Sequence, residues 1–79
     1  MMKLEIRLYA TLRRHQPQAP AGLLSLEVAA GSAVRDLLPA LGIKPEEVHM
    51  LMINGVSASL DAALADGDRV GIFPAVGGG

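Results

Sequence analysis

The chain has 79 residues, no cysteine, and a 51% hydrophobic composition in which alanine and leucine supply 12 residues each. One small domain spanning residues 1–79 is expected, burying about three fifths of its surface on folding, and the missing thiol excludes disulfides and cysteine metal sites. Seven basic against eight acidic side chains leave a net charge of -1, and the one tyrosine and one phenylalanine offer no ladder of rings, which argues against a nucleic-acid surface.

Met1-Met2-Lys3 passes directly into Lys3-Leu4-Glu5-Ile6-Arg7-Leu8-Tyr9, which alternates polar and apolar without a break. No apolar run of the kind found in a signal peptide or membrane span opens the chain, so a cytoplasmic protein without a membrane partner is expected. The alternation predicts a strand with Leu4, Ile6 and Leu8 facing inward. From Thr11 to Gly22 the pattern dissolves around Pro17 and Pro20, which predicts a surface loop carrying Arg13, Arg14 and His15 into solvent. Leu24 to Val28 alternates again and predicts a second strand paired with the first.

Ser32 is placed as a helix N-cap, and Val34, Leu37, Leu38 and Leu41 fall at i, i+3, i+4 and i+7, one apolar stripe of a helix. Gly42 suits its end, and Pro39 predicts a tightening or bend. Lys44 to Glu47 reads as a turn in which Pro45 starts a short helical piece. Val48 to Ile53 is a third strand ended by the tight-turn pair Asn54-Gly55, and Val56 to Ser59 a short return strand. Leu60 to Ala65 is expected to make one helical turn, Asp66-Gly67-Asp68 a turn, and Arg69 to Phe73 the last strand, stopped by Pro74. His15 and His49 lack a third ligand and helical spacing for a metal, Asp61, Asp66 and Asp68 lack the ligand pattern of a calcium loop, and Ser57 and Ser59 have no histidine neighbour.

A right-handed crossover through the helix puts the third strand on the far side of the first. The order is that of an α+β, ubiquitin-like β-grasp fold: a five-stranded mixed sheet on one main helix, with residues 75–79 as a flexible tail. The expected core is Leu4, Ile6, Leu8, Leu26, Val34, Leu37, Leu38, Leu41, Leu51, Ile53, Val70 and Ile72. Alternation then turns Met50, Met52, Gly71 and Phe73 outward.

Leu8-Tyr9-Ala10-Thr11-Leu12-Arg13, the helix Val34 to Ile43, Ile53-Asn54-Gly55, Asp66-Gly67-Asp68-Arg69-Val70 and Phe73-Pro74 followed by Gly77-Gly78-Gly79 together resemble the MoaD/ThiS family of sulfur carriers. The resemblance covers nearly the whole chain. It implies that the α-carboxylate of Gly79, preceded by Gly78, is adenylated by a ThiF/MoeB-like adenylyltransferase using ATP, and is then loaded with sulfur from a persulfide donor as a thiocarboxylate. No cofactor would be bound stably. Glycine belongs at such an end because a side chain would obstruct entry into a narrow partner site and restrict the backbone. Phe73, Pro74, Val76, Gly77, Met50 and Met52 are the expected partner-binding residues, Met52 and Phe73 matching positions of ubiquitin's exposed apolar patch.

Leu8 to Arg13 and Phe73-Pro74 resemble the small subunit of molybdopterin synthase, whose large subunit would take the tail. Val76-Gly77-Gly78-Gly79 is more similar to thiamine-pathway carriers, and Ala75 stands where many molybdopterin carriers have a proline. A thiazole, tRNA-thiolation or tungsten-cofactor carrier, a ubiquitin-like protein modifier and a passive interaction module are the alternatives.

Overall fold

The computed structural model describes residues 1–74; the expected tail, with Val76, Gly77, Gly78 and Gly79, lies outside the described residues. Five strands form one mixed sheet: β1 (Met2–Leu8), β2 (Leu23–Val28), β3 (Val48–Ile53), β4 (Val56–Ala58) and β5 (Arg69–Pro74). Their spatial order is β2-β1-β5-β3-β4. This is the ubiquitin-like β-grasp arrangement. β3 does lie across β1 from β2, but β5 is inserted between them, antiparallel to β3 and parallel to β1.

Strict alternation in β1 produces strict alternation of burial, with Met2, Leu4, Ile6 and Leu8 inside. Ile6 lies opposite Val70 and Leu8 opposite Ile72, so the two parallel strands present one aliphatic strip to the core. The helical stripe covers it: Val34, Leu37, Leu38 and Leu41 are all buried. The helix is shorter than its stripe suggested. Val34–Asp36 is a 3-10 turn that leads into α1 (Leu37–Leu41), because Pro39 has no N–H with which to bond the Arg35 carbonyl. Ser32 does not cap it. The Ser32 hydroxyl donates to the Ala29 carbonyl at 2.8 Å, and the Asp36 carboxylate instead accepts from the Ala33 N–H at 2.9 Å.

Four further expectations are corrected. Residues 10–22 are an ordered connection with 3-10 turns at Ala10–His15 and Pro20–Gly22, and Leu12 is driven into the core, 1% exposed. Gly22 permits this return: its φ is +76°, and a Cβ there would overlap the Leu8 carbonyl oxygen. Leu60 to Ala65 is not helical. A single turn at Leu60-Asp61, closed by the Ala62 N–H donating to the Ser59 carbonyl at 3.1 Å, leads into a stretch that runs past the helix entry, where Ala63 bridges Ala33, the Leu64 N–H donates to the Ser32 carbonyl at 3.1 Å, and Leu64 is buried. Leu26 and Ile53 are packed against the core but only half-buried, Leu26 lying on the edge strand β2 and Ile53 at the end of β3. Met2, Leu12, Ile43 and Leu64 complete the core in addition to the residues expected there.

The Asn54-Gly55 turn has both residues at positive φ, 53° and 83°, as a twisted two-residue hairpin requires. Asn54 also ties this turn to β5. Its N–H donates to the Arg69 carbonyl at 2.8 Å, its side-chain oxygen accepts from the Arg69 N–H at 3.0 Å, and its side-chain nitrogen donates to Asp68 at 2.9 Å. Among the described residues, no helix is long and apolar enough to cross a membrane.

Truncating Leu12 to alanine is expected to cost about 2–5 kcal/mol, the range for a fully buried leucine, whereas Leu26→Ala should cost clearly less because its side chain is already partly hydrated. Urea unfolding of the two variants beside the parent protein checks this. Equal losses would place Leu12 back in a solvent-facing loop.

Candidate functional site

Because β1 and β5 run parallel, both finish at the same end of the sheet, where the Tyr9 N–H donates to the Ile72 carbonyl at 3.1 Å. The chain therefore leaves the described body at Pro74 beside the 3-10 turn that follows β1. Pro74 itself is buried, paired with Val48 on the core side, so it anchors the exit more than it offers surface. Phe73 faces the opposite way. It lies against Met50 of β3, and Gly71 lies against Met52. Met50 is 40% exposed, Met52 and Phe73 are half-buried, and all are on the outer face as alternation requires.

A shift of register between Val48 and Met50 makes both placements possible. Simple alternation would send Val48 outward with Met50; the irregularity at His49 lets Val48 pack on the core while Met50 faces out.

Tyr9, not among the expected partner-binding residues, lies on the same outer face beside Phe73. Its ring stacks on Phe73 with centroids 4.1 Å apart and planes 10° from parallel, and the Arg7 guanidinium stands 5.2 Å from its centroid. The signal was present in the alternation of β1, which turns residues 3, 5, 7 and 9 outward together. What brings Tyr9 to Phe73 is the parallel pairing of two strands at opposite ends of the chain. Both aromatic side chains of the protein thus sit outside the aliphatic core, next to the exit of the tail. Leu23, 49% exposed and opposite Arg7 in β2, extends the apolar surface across the sheet.

His15 is not solvated as expected. Its Nε2 lies 2.9 Å from the Glu47 carboxylate, and Arg14 approaches the same oxygen at 3.8 Å. The other Glu47 oxygen accepts from the Lys44 N–H at 2.9 Å. The contact joins the turn at Ala10–His15, which packs on β5, to the residue just before Val48, the partner of Pro74. The Lys44 amide, then the hydrogen bond from His15, hold the Glu47 carboxyl below its ordinary range. The turn-forming aspartates are occupied structurally: Asp66 accepts from the Lys3 N–H at 2.7 Å, Asp68 from the Ala65 N–H at 2.9 Å, and Asp61 pairs with Arg35 at 2.6 Å.

A family model for ThiS matches residues 6–79. The chain belongs to the ThiS family. Among solved structures, this ThiS-family chain is similar to a Pyrococcus furiosus protein assigned as molybdopterin converting factor subunit 1, at 28% identity and a TM-score of 0.75, covering 96% of this chain and 100% of the other. It is also similar to small archaeal modifier protein 1 (SAMP1) of Haloferax volcanii, at 26% identity and a TM-score of 0.73, covering 98% and 99% of the two chains. A third similarity is to the Haloferax volcanii HVO 2177 protein, at 29% identity and a TM-score of 0.77, covering 99% and 87%. A search of curated proteins finds no match. The ThiS-family chain thus has the ubiquitin-like fold of the sulfur carriers, and membership implies interaction with activating and acceptor enzymes in general.

The lowered titration of Glu47 has a consequence for stability. A carboxyl that is more acidic in the folded state adds stability above its unfolded value and loses it as pH falls through the folded one. Glu47→Gln should therefore lower the melting temperature near neutral pH, and the gap from the parent should close as pH falls below the ordinary carboxylate range and through the lowered folded-state value of Glu47, where the parent carboxyl is protonated as well. Melting curves of both proteins across that range check it; a gap that persists in acid would mean that packing, not charge, is what the substitution removes.

Proposed function

We propose that this protein is a sulfur carrier whose C-terminal carboxylate, at Gly79, is adenylated by a ThiF/MoeB-like adenylyltransferase with ATP and converted to a thiocarboxylate. The observation that carries the reading is a ThiS-family β-grasp body that ends beside a half-buried ring pair on its outer face and continues in sequence into Ala75-Val76-Gly77-Gly78-Gly79. A carboxylate oxygen attacks the α-phosphorus and pyrophosphate leaves; the outer sulfur of a persulfide donor then displaces AMP from the acyl carbon to give an acyl disulfide, and a partner thiol cleaves its S–S bond, releasing the thiocarboxylate and leaving a disulfide on the partner. The chain has no cysteine, so the sulfur must be delivered by a partner. The outer face of Phe73, Met50 and Met52 is the docking surface, and Gly77 and Gly78 keep the approach free of side chains.

Molybdopterin synthesis is the pathway we favour, with the large subunit of molybdopterin synthase as acceptor. It is supported by the likeness to the Pyrococcus furiosus protein and by Leu8 to Arg13 and Phe73-Pro74. The likeness to small archaeal modifier protein 1 favours a second reading, in which the activated carboxyl forms an amide with a target lysine. Immunoblots of cells against this protein separate the two: higher-mass conjugates support the modifier, and an oxygen-to-sulfur exchange in the intact mass supports the carrier.

Appending one residue after Gly79 leaves every contact of the body in place and moves the carboxylate off the α-phosphorus, where near-attack geometry is needed. ATP–pyrophosphate exchange with the adenylyltransferase should be abolished. Exchange at the parent rate without prior trimming would show that the Gly79 carboxylate is not the reacting group.

Phe73→Ala should cost about 1 kcal/mol of stability, the worth of the stacked pair. It should cost about 2 kcal/mol or more of partner affinity, as for a central apolar anchor. Calorimetric titration beside thermal melting reads both, and Met52→Asp should show the same separation. A stability loss as large as the binding loss would mean that the rings serve the fold alone.

A further inference from the structure

Gly71 stands in the middle of the outer face, opposite Arg7 on one side and Met52 on the other, in the central strand of the sheet. A glycine there needs a reason, since it weakens a strand and adds no packing. Backbone conformation is not the reason, because its φ lies outside the left-handed region. Space bears on it. A Cβ on residue 71 would come 3.3 Å from Tyr9 Cε2 and 3.6 Å from Phe73 Cε1, so a side chain there would press on the edges of the stacked rings.

Beside the rings, the bare backbone of Gly71 leaves an open groove across the sheet. Gly71 is its floor, Leu23 and Met52 flank it, the Tyr9–Phe73 pair closes the end nearest the tail, and Arg69 lies at the other. Its charge is asymmetric. Arg7 and Arg69 both line it, and its one carboxylate, Glu5, stands opposite Arg69 in the β1–β5 register without forming an ion pair with it. Among the described residues neither arginine has a carboxylate within the 4.0 Å of an ion pair, while Arg14 and Arg35 do. Arg7 is engaged with the Tyr9 ring; Arg69 has no such contact among the described residues.

We propose that the activating partner seats one large apolar side chain in this groove, above Gly71, and sets a carboxylate against Arg69. The inference rests on the reading that an adenylyltransferase docks on the outer face. It goes further in naming the form of the contact: a socket on this chain, sized by the absence of a side chain at residue 71, with an acidic group on the partner as its charge complement. Apolar contact in the groove supplies affinity, and the pairing with Arg69 sets orientation and speeds encounter.

The test uses the full chain with a free Gly79 and the ThiF/MoeB-like adenylyltransferase of the same genome, with ATP–pyrophosphate exchange read against carrier concentration. Gly71→Leu fills the groove from its floor. It should raise the carrier concentration for half-maximal exchange about tenfold or more, the effect of losing a central anchor, while the rate at saturation stays at the parent value because the tail is untouched. Arg69→Glu should also raise half-saturation, by a factor that shrinks as salt is added. Leu23→Trp narrows the groove from its exposed rim, and its half-saturation should rise even if Gly71→Leu proves too poorly folded to assay. Unchanged half-saturation in Leu23→Trp and in folded Gly71→Leu, with a working parent protein, overturns the socket and leaves the carrier reading intact. A parent protein that drives no exchange overturns the carrier reading, and the socket with it.

Discussion

The parallel pairing of β1 with β5 is the constraint on which the rest depends. Two strands from opposite ends of the chain lie side by side with Ile6 against Val70 and Leu8 against Ile72. Side chains alternate across a strand, so this one register has two effects. It gathers aliphatic residues beneath the helical segment at 34–41, and it brings Tyr9 and Phe73 together above. A slip of one residue would send Phe73 into the core and expose Ile72. Register, core and surface are therefore not separately adjustable.

The distribution of side-chain types follows the same division. The core cluster is leucine, isoleucine, valine and methionine, and among the described residues no polar or charged side chain and no aromatic ring is buried. In so small a protein each aromatic residue is a large share of the surface available for burial. Placing both rings on the outer face forgoes core packing and yields a stacked apolar surface at the end of β5. The fold tolerates this because the other elements close the core: Leu12 from the first connection, Ile43 after the helix and Leu64 from the extended segment before β5.

The end of β5 is held by more than the ladder. Val48 pairs with Pro74 through the register shift at His49, and the His15–Glu47 contact joins the segments on either side. At the other end of the strand, Asn54 and Asp68 lock the hairpin turn to Arg69. A strand held at both ends in this way fixes where the described chain ends, at Pro74 beside the Tyr9–Phe73 pair.

Much of this was legible in the sequence, because local periodicity carries it. Strict alternation from Lys3 to Tyr9 set the inward face of β1, the i, i+3, i+4, i+7 spacing set the helical stripe, Asn54-Gly55 set the hairpin, and the terminal glycines together with the turn order pointed to the sulfur carriers. Only the tertiary structure decided what depends on distant partners. Leu12 sits among arginines and prolines with no periodic neighbour, so nothing local marks it as core; it is buried because the return at Gly22 presses that connection onto the sheet. His15 and Glu47 are 32 positions apart, and their contact exists only once the first connection lies against the entry to β3. Leu60 to Ala65 has the composition of a helical turn but keeps only the bend at Leu60-Asp61 and then runs extended, since its backbone bonds go to Ser32, Val34 and Arg35. The groove over Gly71 was invisible for the same reason: a single glycine in a strand has no meaning by itself, and acquires one when Tyr9, 62 positions earlier in the chain, is folded above it.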